Sequence, residues 1–285
     1  MSPPSPTCPC GAYDARPCGD TGALYATRYL LMKCRACGLR FSDPTPAPDE
    51  ARAYYASAYG GYASDEQLAR DYTQGELRAA RLLAKLRRHA GPTSGRLVDV
   101  GCGNGAVVHH LAARSSFDCS GVEVTASSVA AARTRTSVAI FHGTLDEAAF
   151  PTGHFAVARL DQVIEHVAAF PALLAELHRV LAPGGLLFVG TPNFAGLSAR
   201  LLGARWKEVL PYDHVAMFSP ASLRAHLVRA GFDVRSIVTG GVELVRRPDL
   251  TDLAPWAHRG LVGRVAGLGL RVLGLGDVVT ALARR

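Results

Sequence analysis

Leu97-Val-Asp-Val-Gly-Cys-Gly-Asn-Gly105 is the stretch whose reading decides the fold. Its first four residues have strand character, three glycines follow, and Ala106–Ala113 continues as a helix. Glycines at a strand-to-helix turn let the backbone approach a ligand closely and aim helix N–H groups at it. Glu123 lies in the next strand candidate, Ser120–Val124, eighteen positions past Gly105. A carboxylate there can accept both hydroxyls of a ribose. Turn and acid together indicate a nucleoside ligand. Gly101-x-Gly103-x-x-Ala106 also satisfies the loose dinucleotide pattern, so an NAD-dependent oxidoreductase stands as an alternative. Asp99 weighs against it, because an acid two residues before the first glycine repels a pyrophosphate. It suits a ligand that carries an ammonium group.

Outward from this turn, strands and helices alternate. Strand candidates are Val138–Phe141, Phe155–Leu160, Leu186–Val189, Val234–Thr239 and Val278–Leu282. Helix candidates are residues 66–89, Ser127–Arg133, Phe170–Leu181 and Pro220–Ala230. The helix at 66–89 has Leu77, Leu82, Leu83 and Leu86 on one side, and Phe170–Leu181 stops at Ala182-Pro-Gly-Gly185. Such alternation implies an α/β domain with a parallel sheet covered on both faces. The chain has 285 residues, 48% hydrophobic and 19% charged, enough to bury a real core. Its formal charge is +7, but the 31 cations are scattered, which argues against a nucleic-acid partner. The N-terminus lacks the pattern of a signal peptide, and Leu261–Leu275 is broken by Arg264 and Arg271. A cytoplasmic protein without membrane insertion is expected; the oligomeric state is left open.

Five of the seven cysteines precede residue 40, which points to a metal site in a reducing compartment. Cys34-Arg-Ala-Cys37-Gly38 has the spacing of a zinc knuckle; Cys8-Pro-Cys10-Gly11 is one residue shorter, and Cys18 is a further candidate for that half. An all-cysteine site is closed and structural. The chain therefore divides into a zinc-ribbon-like module at 1–41 and a linker with N-terminal helices at 42–94. A nucleoside-binding domain occupies 95–285, with substrate-region insertions near 191–219 and 245–275. Tyr54, Tyr55, Tyr59 and Tyr62 are candidates for a lid or for packing on the sheet. The Leu261–Leu275 stretch is a candidate cap over the pocket, favoured over a membrane-surface contact because two arginines are few for such a face.

With these blocks in order, the chain resembles the class I S-adenosylmethionine-dependent methyltransferases over roughly residues 50–285. The resemblance rests on Val98–Gly105, Val122-Glu123, Gly143-Thr-Leu-Asp146, Val163-Ile-Glu-His-Val167, Leu181–Leu186 and Gly190-Thr-Pro-Asn193. Asp213-His-Val-Ala-Met-Phe-Ser-Pro220, Leu223 and Ala230-Gly-Phe232 are similar to the ubiquinone-biosynthesis O-methyltransferase branch. The resemblance implies a Rossmann-like, doubly wound, seven-stranded sheet whose last strand is antiparallel, with the small zinc module at its N-terminus. It places Asp99, Gly101, Cys102 and Gly103 at the methionine moiety, with Asp161 near that end. Glu123 and Val124 fall at the ribose, and Thr144-Leu145 at adenine. Many relatives carry Asp at the Thr144 position, which here leaves adenine to backbone groups and apolar packing.

The implied activity is methyl transfer from S-adenosylmethionine to a small-molecule acceptor, read as a hydroxyl oxygen, in secondary-metabolite or cell-envelope biosynthesis. Carbon or nitrogen acceptors are the alternative. His214, in Tyr212-Asp-His214 after the fifth strand, is the candidate base. Glu165-His166 lies where ubiquinone-type relatives can bind a divalent cation, although Gln162 replaces an acid that would help. Phe194, Trp206, Tyr212, Met217 and Phe218 are candidate walls of an apolar pocket or ordinary core.

Overall fold

The computed structural model describes residues 7–20, 29–45, 65–241 and 273–285. Tyr54, Tyr55, Tyr59 and Tyr62, the candidate lid, and residues 261–272 of the candidate cap lie outside the described residues. No described helix is long and apolar enough to cross a membrane.

Near the N-terminus are three short strands, β1 (Ala15–Asp20), β2 (Leu30–Cys34) and β3 (Arg40–Asp43). Helix α1 (Asp65–Arg88) leads to β4 (Ser94–Val100), α2 (Ala106–Arg114), β5 (Ser116–Glu123), α3 (Ala126–Arg135), β6 (Ala139–His142) and β7 (Phe155–Asp161). A 3-10 turn (Ile164–His166), α4 (Phe170–Val180), β8 (Leu181–Pro192) and α5 (Leu197–Leu202) follow. The chain then forms β9 (Ala216–Met217), α6 (Pro220–Arg229), β10 (Asp233–Gly240) and β11 (Val278–Arg284).

Seven strands form one sheet in the order β10-β11-β8-β7-β4-β5-β6. The β4, β5, β6, β7 and β8 pairings are parallel, and β11 runs antiparallel to both β8 and β10. Alternation along β4 sends Leu97 to one face and Val98 and Val100 to the other. Leu97 joins Leu82, Leu86, Val108 and Leu111 from α1 and α2, while Val98 and Val100 join Leu174 and Leu177 of α4 and Leu223 and Leu227 of α6. Both faces are thus covered, as the strand-helix alternation requires.

Two elements differ from their sequence readings. The buried stripe of α1 is Gly75, Ala79, Leu82 and Leu86, whereas Leu77 is 47% exposed. The stripe follows the small residues because α1 lies close on α2: a Cβ on Gly75 would sit 2.8 Å from Cβ of Ala106. The fifth strand of the domain is also longer than Leu186–Val189. Leu181 already pairs with Phe155, and a register irregularity before Val157↔Leu186 accommodates Ala182–Gly185.

The second sheet has the order β1-β2-β3-β9 and is antiparallel throughout. Its fourth strand comes from the 191–219 region, so the N-terminal module is completed by a distant part of the chain. Trp206, Phe194 and Met217 form a buried cluster with Leu31 of β2, and Phe218 belongs to the main core. These aromatics are therefore core, not pocket wall, because the module covers them.

Candidate active site

A cavity of about 1040 Å³ opens at the C-terminal ends of β4, β5 and β7. That edge of an open α/β sheet is where ligands bind, and the volume lies at the upper end for small-molecule sites. The glycine loop forms one wall. Gly101 has φ +71°, and a Cβ there would collide with Cγ2 of Val163, so only glycine lets the loop turn under the segment after β7. Gly101, Gly103, Glu123, Val124, Thr144 and Leu145 all lie on the cavity. Glu123 Oε2 accepts from the Gly103 amide at 2.9 Å and Oε1 from the Thr125 amide at 2.8 Å. Each oxygen retains a second lone pair, so the carboxylate can hold its loop and receive two ribose hydroxyls together. The Thr144 amide donates to Glu147 Oε2 at 2.7 Å. Val124 and Leu145 add apolar surface to the cavity wall.

Asp99, Cys102 and Asp161 do not line the cavity. Asp99 is fully buried and accepts from Arg159 Nη1 at 2.7 Å; Arg159 Nη2 also binds Asp161. Asp99 and Arg159 are register partners across β4 and β7. The parallel register thus sets a guanidinium beside Asp99 Oδ1, while Oδ2 is buried with no hydrogen-bond partner among the described residues. The group retains two carboxylates against one cation beneath the glycine loop. Sequence reasoning missed Arg159, although a cation in the apolar strand Phe155-Ala-Val-Ala-Arg159 was a visible signal. Cys102 turns under the loop toward Gly121, and burial pushes its thiol above the usual range.

Across β4 from Glu123, the segment after β7 meets the segment before β9. Strand spacing puts these two ends of the cavity about 10 Å apart. Glu165, His166, Asp213, His214 and Glu208 all face this end. His166 Nδ1 lies 2.8 Å from Asp213 Oδ1, and His214 Nδ1 lies 2.6 Å from the Glu208 carbonyl oxygen. With Nδ1–H donating in both rings, Nε2 is the basic nitrogen of each. The two rings meet edge to face with centroids 4.8 Å apart.

Burial works against the His166 imidazolium, but the Asp213 hydrogen bond and the Glu165 and Asp213 charges outweigh it, and its pKa is raised. His214 is pushed down to about 4, first by burial and then by the charge of His166. Burial likewise pushes Glu165 up to about 7. Thr191 donates to its Oε2 at 2.9 Å, and Oε1 is buried with no hydrogen-bond partner among the described residues. One ligand atom each from Glu165, His166 and His214 lies within 4.8 Å of the others.

Cys8, Cys10, Cys34 and Cys37 come together with their sulfurs within 4.8 Å, while Cys18 is exposed on β1. The short knuckle closes through the Gly11 amide on the Cys8 carbonyl oxygen, and the long one through the Gly38 amide on that of Cys34. The Cys8–Cys37 and Cys10–Cys34 sulfur pairs are each 3.8 Å apart. A zinc tetrahedron with bonds of about 2.3 Å has edges of about 3.8 Å, so the donor set fits that ion. Cys37 is drawn down to about 3, chiefly by its hydrogen bond with the Cys8 thiol, which is itself driven up by the same contact. Four thiolates this close repel one another and need a cation between them.

This sheet order, with the cavity over its glycine loop, defines the class I S-adenosylmethionine-dependent methyltransferase fold. A family model described as a methyltransferase domain matches residues 70–237, and the chain belongs to that family. By family and by fold it is an S-adenosylmethionine-dependent methyltransferase.

Among curated relatives, the ubiquinone biosynthesis O-methyltransferase of Aromatoleum aromaticum is 26% identical over 53% of this chain and 69% of its own length. That of Caulobacter sp. is 30% identical over 49% and 60%. The malonyl-[acyl-carrier protein] O-methyltransferase of Serratia marcescens is 31% identical over 58% and 61%. Two solved structures share the fold. A SAM-dependent methyltransferase from Archaeoglobus fulgidus has TM-score 0.51 and 17% identity, covering 73% of this chain and 94% of that one. A SAM-dependent methyltransferase from Thermotoga maritima, titled a possible histamine N-methyltransferase, has TM-score 0.50 and 21% identity, covering 83% and 95%.

Proposed function

We propose that this methyltransferase acts on a hydroxyl oxygen of a small-molecule acceptor, in secondary-metabolite or cell-envelope biosynthesis. The observation that carries the reading is the Asp213–His166 hydrogen bond at the end of the cavity away from Glu123. S-Adenosylmethionine supplies the activated methyl group. Glu123, the Gly101–Gly103 backbone, Val124, Thr144 and Leu145 hold the nucleoside part, with Asp99 and Asp161 acting through Arg159 beneath the loop. An acceptor hydroxyl on Nε2 of His166 loses its proton to the ring while Asp213 supports the resulting imidazolium. His214 was the base expected from sequence. Burial makes it the weaker base, and its role here is to flank the acceptor as a neutral ring. Glu165, pushed up to about 7, exchanges its proton within the neutral range, and when protonated it can donate a hydrogen bond from Oε1. The O-methyltransferase names of the relatives support oxygen over carbon or nitrogen. Membership in the methyltransferase family sets the NAD alternative aside. In the module, Cys8, Cys10, Cys34 and Cys37 hold one structural zinc ion.

A second reading rests on the closeness of Glu165, His166 and His214, whose ligand atoms fit a divalent cation that would acidify the acceptor hydroxyl directly. The test is methyl-labelled S-adenosylmethionine offered to phenolic, other hydroxylated, amine and carbon-acid acceptors, with and without chelator. Oxygen methylation that survives chelation supports the His166 base. Activity lost on chelation and restored by Mg²⁺ or Mn²⁺ supports the cation. Transfer confined to amines or carbon acids overturns the oxygen assignment.

A further inference from the structure

The four-cysteine module is built into the same stretch of chain that carries Asp213 and His214. β9, two residues past His214, pairs among the described residues with β3 alone, through Arg40↔Met217 and Phe41↔Ala216. Arg40 Nη1 donates to the Phe194 carbonyl oxygen at 2.8 Å, and the Phe194 ring stands edge-on to that of His214. Leu31 of β2 packs in the cluster of Trp206, Val209 and Met217, which brackets the 208–217 segment. The knuckles are tied to the domain too. Arg229, in the last turn of α6, donates from Nη1 to the Cys10 carbonyl oxygen at 3.4 Å. The module is far below the size at which a hydrophobic core alone sustains a fold, so its order depends on the cross-link between its cysteines.

We propose that metal held by the four cysteines acts as a clamp on the acceptor side of the active site, with Arg40 and Phe41 as positioning residues that fix Asp213 and His214 through the β3–β9 ladder. The inference rests on the zinc reading above. It adds that metal loss releases residues 208–218 selectively, while the glycine loop and Glu123, held by β4, β5 and α2, keep their ligand affinity. The sheet strands β4 and β5 have partners on both sides and do not depend on the module.

The test uses the full chain in a Trp256→Phe background, so that Trp206 is the remaining tryptophan. Metal content is measured first; zinc is then stripped with chelator and later restored. Amide exchange should rise about tenfold or more in 30–43 and 213–218 on stripping, return with Zn²⁺, and stay unchanged in β4 and β5. Trp206 emission should shift to the red in step, and S-adenosylhomocysteine affinity should stay within about twofold. Arg40→Ala should keep its metal and still raise exchange in 213–218, and Arg40→Lys should restore part of the protection. This pair decides the matter if the stripped protein unfolds as a whole. Amides 30–43 opening while 213–218 stay protected would overturn the clamp and leave the zinc reading intact. Protein that neither holds zinc as purified nor takes it up overturns both.

Discussion

Glu123 accepts the Gly103 and Thr125 amides and still faces the cavity, so removing it acts both on the loop and on the ligand. Charge-assisted hydrogen bonds are worth roughly 1.5–3 kcal/mol each. Glu123→Ala should weaken S-adenosylhomocysteine binding by about tenfold or more, and Glu123→Gln by less. Calorimetry showing wild-type affinity for both would remove Glu123 from the cofactor site. Asp99 should behave differently. It is sealed under the loop against Arg159, so Asp99→Ala should show first in stability, by about 1–3 kcal/mol, since Arg159 keeps Asp161 but its buried Nη1 loses its acceptor. Chemical denaturation measures it. An unchanged midpoint with weakened binding would mean that Asp99 serves the ligand directly. At the acceptor end, His166 must be neutral to take a proton. Its pKa lies above the ordinary 6.5, so turnover should fall as pH drops through that raised value. Asp213→Asn should move the acid limb to lower pH, because the supporting charge is gone. His166→Ala should cost about 10²-fold and flatten the limb. A limb that persists in the His166 variant places the base elsewhere.

At the scale of elements, α1 and the glycine loop are joined by close packing. Gly75 lies against Ala106 at the start of α2, and Asn104 of the loop donates to Asp71 of α1 at 3.2 Å. A side chain on Gly75 would meet backbone as well as Cβ, and backbone at a helix start yields little. Gly75→Val should therefore cost about 1–3 kcal/mol of stability and weaken cofactor binding by displacing the loop. Thermal unfolding with and without S-adenosylhomocysteine separates the two effects. A neutral outcome would show that α1 pivots freely on α2. The α1 helix and the Leu82 and Leu86 end of its buried face were legible from its leucines, but the N-terminal half of that face was not. The stripe uses Gly75 and Ala79, which carry no hydrophobic signal and matter only because a neighbouring helix comes near. The long β8 was hidden for a similar reason, since Ala182-Pro-Gly-Gly185 reads as a turn until Phe155 pairs with Leu181.

For the whole molecule, two sheets with separate sources of order share one segment. The seven-stranded sheet has cores on both faces, whereas the small sheet has a four-sulfur cluster. Cys34→Ser should lose the metal and open the module while the large sheet keeps its cooperative unfolding; metal analysis and circular dichroism read the two independently. Loss of the large sheet's transition in that variant would mean that the module carries the domain's stability and not only its acceptor side.

The α/β alternation, the glycine turn from Leu97 to Gly105, the acid at Glu123 and the Cys34–Cys37 knuckle were legible in the amino-acid sequence, which left Cys18 open beside Cys8 and Cys10 for the other half. Each of these is written in short-range patterns: apolar period, glycines at a turn, ligand spacing. Which side chains meet across long separations was fixed by folding. Asp99 found Arg159 through the parallel register of β4 and β7. His166 found Asp213 because the segment after β7 meets the segment before β9, and Phe41 found Ala216 because a strand from the far end of the chain completes the module. No local pattern encodes such pairs, since each is fixed by register and crossover geometry and not by the residues on either side of it.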